Sequence, residues 1–352
     1  MRWCRDRLLL SCGVVLVVAT GCVAGEIGGE GAGAPGLDVR VDALASTFAA
    51  DEIPWVEVTY TNESAGPLRV LSWMLPGEDL WQDLFTVTVD GVKAEYIGRV
   101  YKRADARDRD FVVLAPGESR TGRVDLSRLY EMPRAGEYQI EVKARATLFT
   151  GGNDSGRADA PTIASNRVAL FSEAHLRPVH QDDVNAYYYG ISFSQCSGSQ
   201  KDLLRTGMDV AQAQADDAAS YMNDNTPGNR TRYRTWFGAY TAARWATVKR
   251  TFATLKSRID GKRIRFHCDC SDDYYAYVYP DAPYNIYICN VYWNASLEDK
   301  GGTIVHEMTH FYAVAGTADV VYGVDGCHDL ARNDPDGAVE NADSYAYFCE
   351  LP

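Results

Sequence analysis

The chain has 352 residues, of which 46% are hydrophobic and 11% aromatic, and it carries a formal net charge of −13. That content supports packed cores and excludes a globally disordered chain, and the length suits about two domains. The acidity argues against a nucleic-acid binder, which needs basic faces, and fits a protein working outside the cytoplasm.

Residues 1–22 read as a targeting segment. Arg2, Arg5 and Arg7 precede an apolar run over residues 8–18 that is too short for a transmembrane helix. Its end, Ala19-Thr20-Gly21-Cys22, resembles a bacterial lipobox in which the cysteine is lipidated, although Ala19 stands where leucine is usual. Ordinary signal cleavage near Ala24 is the alternative. Either route predicts an extracytoplasmic protein, freely secreted or a surface lipoprotein, with a lipid on Cys22 as its one expected link to a membrane.

Residues 23–36, rich in glycine and alanine, read as a flexible tether. Short alternating runs then predict strands over 55–60, 85–89 (entering the turn Asp90-Gly91), 111–114, 122–126, 138–144 and 168–171. Strands at this spacing predict an all-β immunoglobulin-like sandwich over residues 37–171. It contains no cysteine, and the first histidine, His175, comes after it. A structural or inhibitory accessory domain is therefore expected. Residues 172–188, with His175 and His180, read as a connector whose histidines are solvated.

Residues 189–352 change character. Helices are predicted over 202–222 and 231–259, the second on a stripe of Phe237, Trp245, Val248, Phe252, Leu255 and Ile259. Strands follow over 263–267, 275–279 and 284–289, then a helix over 303–314 stopped by Gly316, then an acidic helical tail. The expected fold is α+β, mainly helical with a small sheet. Six cysteines fall here: Cys196, Cys268, Cys270, Cys289, Cys327 and Cys349. In an oxidising compartment they predict three disulfides, with fifteen pairings open and Cys268 and Cys270 too close to pair with each other.

The chemistry concentrates in His306-Glu307-Met308-Thr309-His310. Histidines four apart share a helix face and can reach one metal ion, while the adjacent glutamate can take a proton from water at that metal. A catalytic Zn²⁺ needs a third protein ligand and an open position. Ala313 and Gly316 stand where a metzincin needs glycine and histidine, so that class is excluded. Glu340, Glu350 and the nearer Asp319 are the candidates. Gly316 can turn the chain back, Thr317 can cap a following helix, and Asp319 and Tyr322 would then share its face.

The run Gly316-Thr317-Ala318-Asp319-Val320-Val321-Tyr322-Gly323 after the histidine pair resembles the aspzincins, the deuterolysin and peptidyl-Lys metalloendopeptidase group, which carry HExxH followed by GTxDxxYG. Tyr233 to Gly238, Phe266 to Cys270, Tyr275 to Pro280 and Asn341-Ala342-Asp343 extend the likeness over the C-terminal half. The resemblance implies a zincin-type metalloprotease domain with one Zn²⁺ on His306, His310 and Asp319, and residues 37–171 as the pro-domain of a zymogen. It further implies Glu307 as general base and Tyr322 as donor to the developing oxyanion. Lysine-specific relatives hold the substrate ammonium with two carboxylates three residues apart. Asp343 matches the first, but Ala346 stands at the second, which predicts weakened lysine selectivity. The family's pairings suggest Cys196–Cys268 and Cys270–Cys289, leaving Cys327–Cys349 by subtraction.

The expected function is an exported, monomeric zinc endopeptidase acting on proteins or peptides, with a preference for lysine after the cleaved bond. The rival readings are a surface-anchored binding lipoprotein with a masked zinc domain and a zinc amidase acting on cell-wall peptides.

Overall fold

The computed structural model describes residues 36–78, 80–104, 106–146, 149, 162–175, 190–224 and 231–351. The expected leader with Cys22, most of the tether and most of the connector with His180 lie outside these residues. Among the described residues, no helix is long and apolar enough to cross a membrane.

The N-terminal half is sheet-rich, as its alternation predicts. One sheet joins β1 (Leu37–Ala43), β3 (Trp55–Asn62) and β9 (Ser119–Asp125), all antiparallel. A second runs β2 (Thr47–Phe48), β12 (Val168–Ser172), β10 (Gly136–Arg145), β5 (Phe85–Val89) and β6 (Val92–Lys93), with β11 (Thr162–Ala164) beside β10. A separate pair is formed by β4 (Leu68–Leu71) and β8 (Phe111–Leu114). Val56, Val58 and Tyr60 alternate inward from β3 and meet Val87, Ile140 and Val142 of the second sheet in one core. The turn between β5 and β6 uses Asp90 and Gly91, both with positive φ, as the sequence predicts.

The C-terminal half builds helices around a sheet of β13 (Gly190–Ser194), β14 (Arg263–His267), β16 (Asn285–Ile288) and β15 (Ala276–Val278). The fifth strand, β7 (Val100–Lys102), comes from the N-terminal half and pairs antiparallel with β15. Without β7, β15 would be an edge strand with unpaired backbone groups. No alternation marks β7 in the sequence, and it falls in a region expected to serve another domain. At the opposite edge β13, which follows the expected connector, pairs in parallel with β14.

The helices are α1 (Gly198–Asp224), α2 (Thr231–Phe237), α3 (Ala242–Gly261), α4 (Asn290–Trp293), α5 (Leu297–His310), α6 (Gly323–Asn333), α7 (Pro335–Glu340) and α8 (Ala342–Glu350). The single helix expected over 231–259 is two. Gly238 breaks it at φ +71°, and Thr241 restarts it by accepting the Arg244 N–H on its hydroxyl (3.2 Å). A Cβ at Gly238 would run into the Ala331 carbonyl oxygen and the Pro335 ring. Gly238→Ala is therefore expected to destabilise the chain by about 1–3 kcal/mol, read as a lower urea midpoint at unchanged slope.

Two expected disulfides form, Cys196–Cys268 and Cys270–Cys289. The third does not: Cys327 and Cys349 are free and buried. Cys327 on α6 faces Asn341, whose side-chain amide donates to its sulfur (3.4 Å). Cys349 on α8 lies in the field of Arg232 and Asp217 instead, so the two thiols have different surroundings. Pairing by subtraction overlooks that a thiol can simply pack as a small apolar group.

Candidate metal centre and cleft

Helix α5 carries the histidine pair. Ser296 caps it by accepting the Asp299 N–H (3.1 Å), Glu298 and Asp299 occupy its first turn, and every residue from Lys300 to His310 is buried. It ends at His310 rather than near Val314. Gly316, at φ +64°, lies beyond the end, in the turn that reverses the chain. The following helix starts only at Gly323, so Thr317, Asp319 and Tyr322 sit on an extended stretch and not on one helical face. Thr317 caps no helix. Its hydroxyl donates to Thr309 Oγ1 (2.8 Å) and its carbonyl lies 2.8 Å from His310 Nδ1. The extended stretch is pinned by Asn341, whose Oδ1 accepts the Val320 and Val321 N–H groups (3.0 and 3.1 Å).

This return path brings Asp319 to the histidines. His306 Nε2 and His310 Nε2 are 3.0 Å apart, and Asp319 Oδ1 lies 3.2 Å from the first and 3.4 Å from the second. The three form the one cluster of metal-ligand type among the described residues. Their spacings match the edge of about 3.3 Å expected for ligands ~2.0–2.1 Å from a tetrahedral Zn²⁺. Both imidazoles are held from behind. His310 Nδ1 faces the Thr317 carbonyl and His306 Nδ1 lies 2.8 Å from Asp343 Oδ1, which turns each Nε2 lone pair inward. Two lone pairs and a carboxylate oxygen converging on one point repel unless a cation joins them. Asp319 Oδ1 and Glu307 Oε2 are, accordingly, buried without a hydrogen-bond partner among the described residues. The donor set fits zinc. Of the other candidates, Glu340 is exposed at the end of α7, and Glu350 faces Lys102. His175 is engaged elsewhere, with Nε2 2.9 Å from Ser172 Oγ.

Electrostatics separate the carboxylates. Burial pushes the Glu307 carboxyl up to about 8. Burial acts on Asp319 in the same direction, but His310 and His306 hold it well below the usual carboxylate range. Asp343 is buried on α8 and is likewise held down, against burial, by Lys102 and His306. Asp343 has a place beyond the substrate pocket expected of it: it backs His306, accepts the Gly323 N–H (3.0 Å) and pairs with Lys102 Nζ (3.0 Å).

Sequence reasoning missed Tyr101 and Lys102. The Lys102 N–H donates to Glu307 Oε1 (3.2 Å), and the Tyr322 hydroxyl donates to the Tyr101 carbonyl (3.1 Å). These contacts span 205 and 221 residues of sequence, and no local pattern announces them.

A helix-borne histidine pair with a returning carboxylate, set against a small sheet, defines a zincin-like metallopeptidase domain. The sequence profile of the lysine-specific metallo-endopeptidases, the aspzincins, matches residues 221–350. An extracellular protease of Aeromonas hydrophila is 37% identical over 327 residues, covering 90% of this chain and 92% of its own. The peptidyl-Lys metalloendopeptidase of Armillaria mellea is 29% identical over 330 residues, with 90% and 92% covered. That of Pleurotus ostreatus is 39% identical over 163 residues, which are 45% of this chain and 96% of its own. The chain belongs to the aspzincin family and is a metalloendopeptidase.

Proposed function

We propose that this enzyme is an exported zinc endopeptidase that binds Zn²⁺ through His306, His310 and Asp319 and prefers lysine after the cleaved bond. The observation that carries the reading is the convergence of those three ligand atoms within 3.0–3.4 Å of one another beside buried Glu307. Zinc, when bound, would polarise the scissile carbonyl and acidify water. Glu307 accepts the proton of the attacking water and returns it to the leaving amine, a task suited to a carboxylate with one oxygen unpartnered. Tyr322 donates its hydroxyl where negative charge gathers on the carbonyl oxygen. Export is supported by the basic and apolar leader and by the two disulfides, which persist in oxidising compartments.

Residues 37–171 and 189–352 are proposed as two domains, the first an immunoglobulin-like sandwich, on the support of their separate cores. The lysine preference rests on Asp343 and on a residue that the three-apart spacing did not suggest. Glu350, seven residues after Asp343 on α8, lines one pocket with Lys102, and burial pushes its carboxyl up to about 7. It takes the part left open by Ala346. Digestion of a mixed peptide library tests this. Lysine is expected to be enriched after the scissile bond, and Glu350→Gln is expected to reduce that enrichment by about 1–2 kcal/mol of discrimination with zinc content unchanged. An unenriched library would remove the pocket.

A further inference from the structure

Among the described residues, the N-terminal half reaches into the cleft over residues 96–103. Tyr312 holds its start by donating to the Tyr96 carbonyl (2.6 Å). Arg99 donates to the Tyr279 hydroxyl (2.8 Å) and lies over the rings of Trp81 and Tyr277. Arg103, also buried, sits over Trp73, Tyr101 and Tyr274. Between these anchors β7 completes the sheet in antiparallel register, with Val100 opposite Val278, Tyr101 opposite Tyr277 and Lys102 opposite Ala276. This is strand addition, the way an extended peptide binds a sheet edge.

The peptide bond between Tyr101 and Lys102 lies where a scissile bond would be. Its carbonyl oxygen accepts from Tyr322, its nitrogen donates to Glu307, and the side chain that follows it enters the pocket of Asp343. Lys102 Nζ is also 5.3 Å from the centre of the Tyr347 ring, and the whole residue is only 4% exposed. Both partners of a bond, and the residue after it, are thus engaged by the groups expected to act on a substrate.

We propose that Tyr101–Lys102 is a self-cleavage site: the N-terminal half occupies the cleft as the enzyme's own first lysine substrate and blocks it until that bond is cut. The inference rests on the functional reading above. The step is a hydrolysis. Water oxygen bonds to the Tyr101 carbonyl carbon as the bond to the Lys102 nitrogen breaks. Glu307 takes one proton from the water and passes it to that nitrogen. Tyr101 is left with a carboxylate and Lys102 with a free α-amine, and no other reactant is consumed. The geometry is that of a substrate and not of a reversed, uncleavable blocker, because carbonyl and amide each face the group that would act on it.

The test uses the full chain, purified without metal and then given one equivalent of zinc. Wild type is expected to yield a fragment beginning at Lys102, identified by mass, at a first-order rate independent of chain concentration. Zinc-loaded Glu307→Gln is expected to stay intact at that bond. In the metal-free Glu307→Gln chain, Lys102 is expected to be acylated by a succinimidyl ester at least about tenfold more slowly than exposed Lys93 and Lys143. Acylation of Lys102 at the rate of Lys93, a cut in Glu307→Gln, or a rate rising with chain concentration would each overturn the proposal. Hydrolysis of an added lysine peptide while Tyr101–Lys102 stays intact overturns this inference alone. A zinc-bound chain that cuts neither removes the functional reading as well.

Discussion

Glu307→Gln is expected to lower kcat/KM toward a lysine-containing peptide by at least about 10²-fold, with the lost proton transfer and the uncut Tyr101–Lys102 bond acting in the same direction, while the fold and zinc content stay as they are. The substitution keeps size and shape in a fully buried position, and the side-chain oxygen can still accept the Lys102 N–H that Glu307 Oε1 accepts. What disappears is the ability to hold a proton between water and leaving amine. Gln is not one of the three ligand positions, so metal affinity is expected to be unaffected. Steady-state kinetics with zinc analysis by atomic absorption on the same preparation checks both halves. Comparable activity in the variant would remove Glu307 as the proton carrier.

Asp319→Ala should act on the metal instead. Two histidines alone leave a zinc site one ligand short, and among the described residues Asp319 is the one carboxylate in the cluster. Altering groups that merely support a ligand costs metal affinity about 10–100-fold, so deleting a ligand is expected to cost at least 100-fold, on the order of 3 kcal/mol or more. Activity should fall to background in a chain that is otherwise folded, because the extended stretch around residue 319 is held by Asn341 and Thr309 rather than by the Asp319 side chain. His175→Ala is the control and should retain full zinc, as His175 bonds to Ser172. Equilibrium dialysis against a zinc buffer measures both variants. Undiminished zinc affinity in Asp319→Ala would assign the third ligand elsewhere.

The legible and illegible parts of this chain differ in range. His306 and His310 are legible because a helix puts positions four apart on one face, which needs only local geometry. The strands at 55–60 and 85–89 are legible by the same local rule of alternation. Asp319 reaches the histidine pair by a route other than the expected one: the stretch expected to be helical is extended, and the turn at Gly316 brings the carboxylate back. The break at Gly238 was marked by glycine and by the capping Thr241, yet the apolar stripe on either side outweighed them. Counting cysteines gave even parity and suggested a third bridge, whereas Cys327 and Cys349 are packed in different surroundings. The contacts of Tyr101 and Lys102 were beyond reach. They depend on where one folded half sets a strand against the other, and Lys102 meets Asp343 across 241 residues.

The central claim is a zinc ion held by His306, His310 and Asp319. Anomalous scattering on both sides of the zinc absorption edge, from crystals of zinc-loaded Glu307→Gln, tests it most directly. A single anomalous peak is predicted within about 2.0–2.2 Å of His306 Nε2, His310 Nε2 and an Asp319 carboxylate oxygen. A peak that omits Asp319, or zinc found only at other residues, would contradict it.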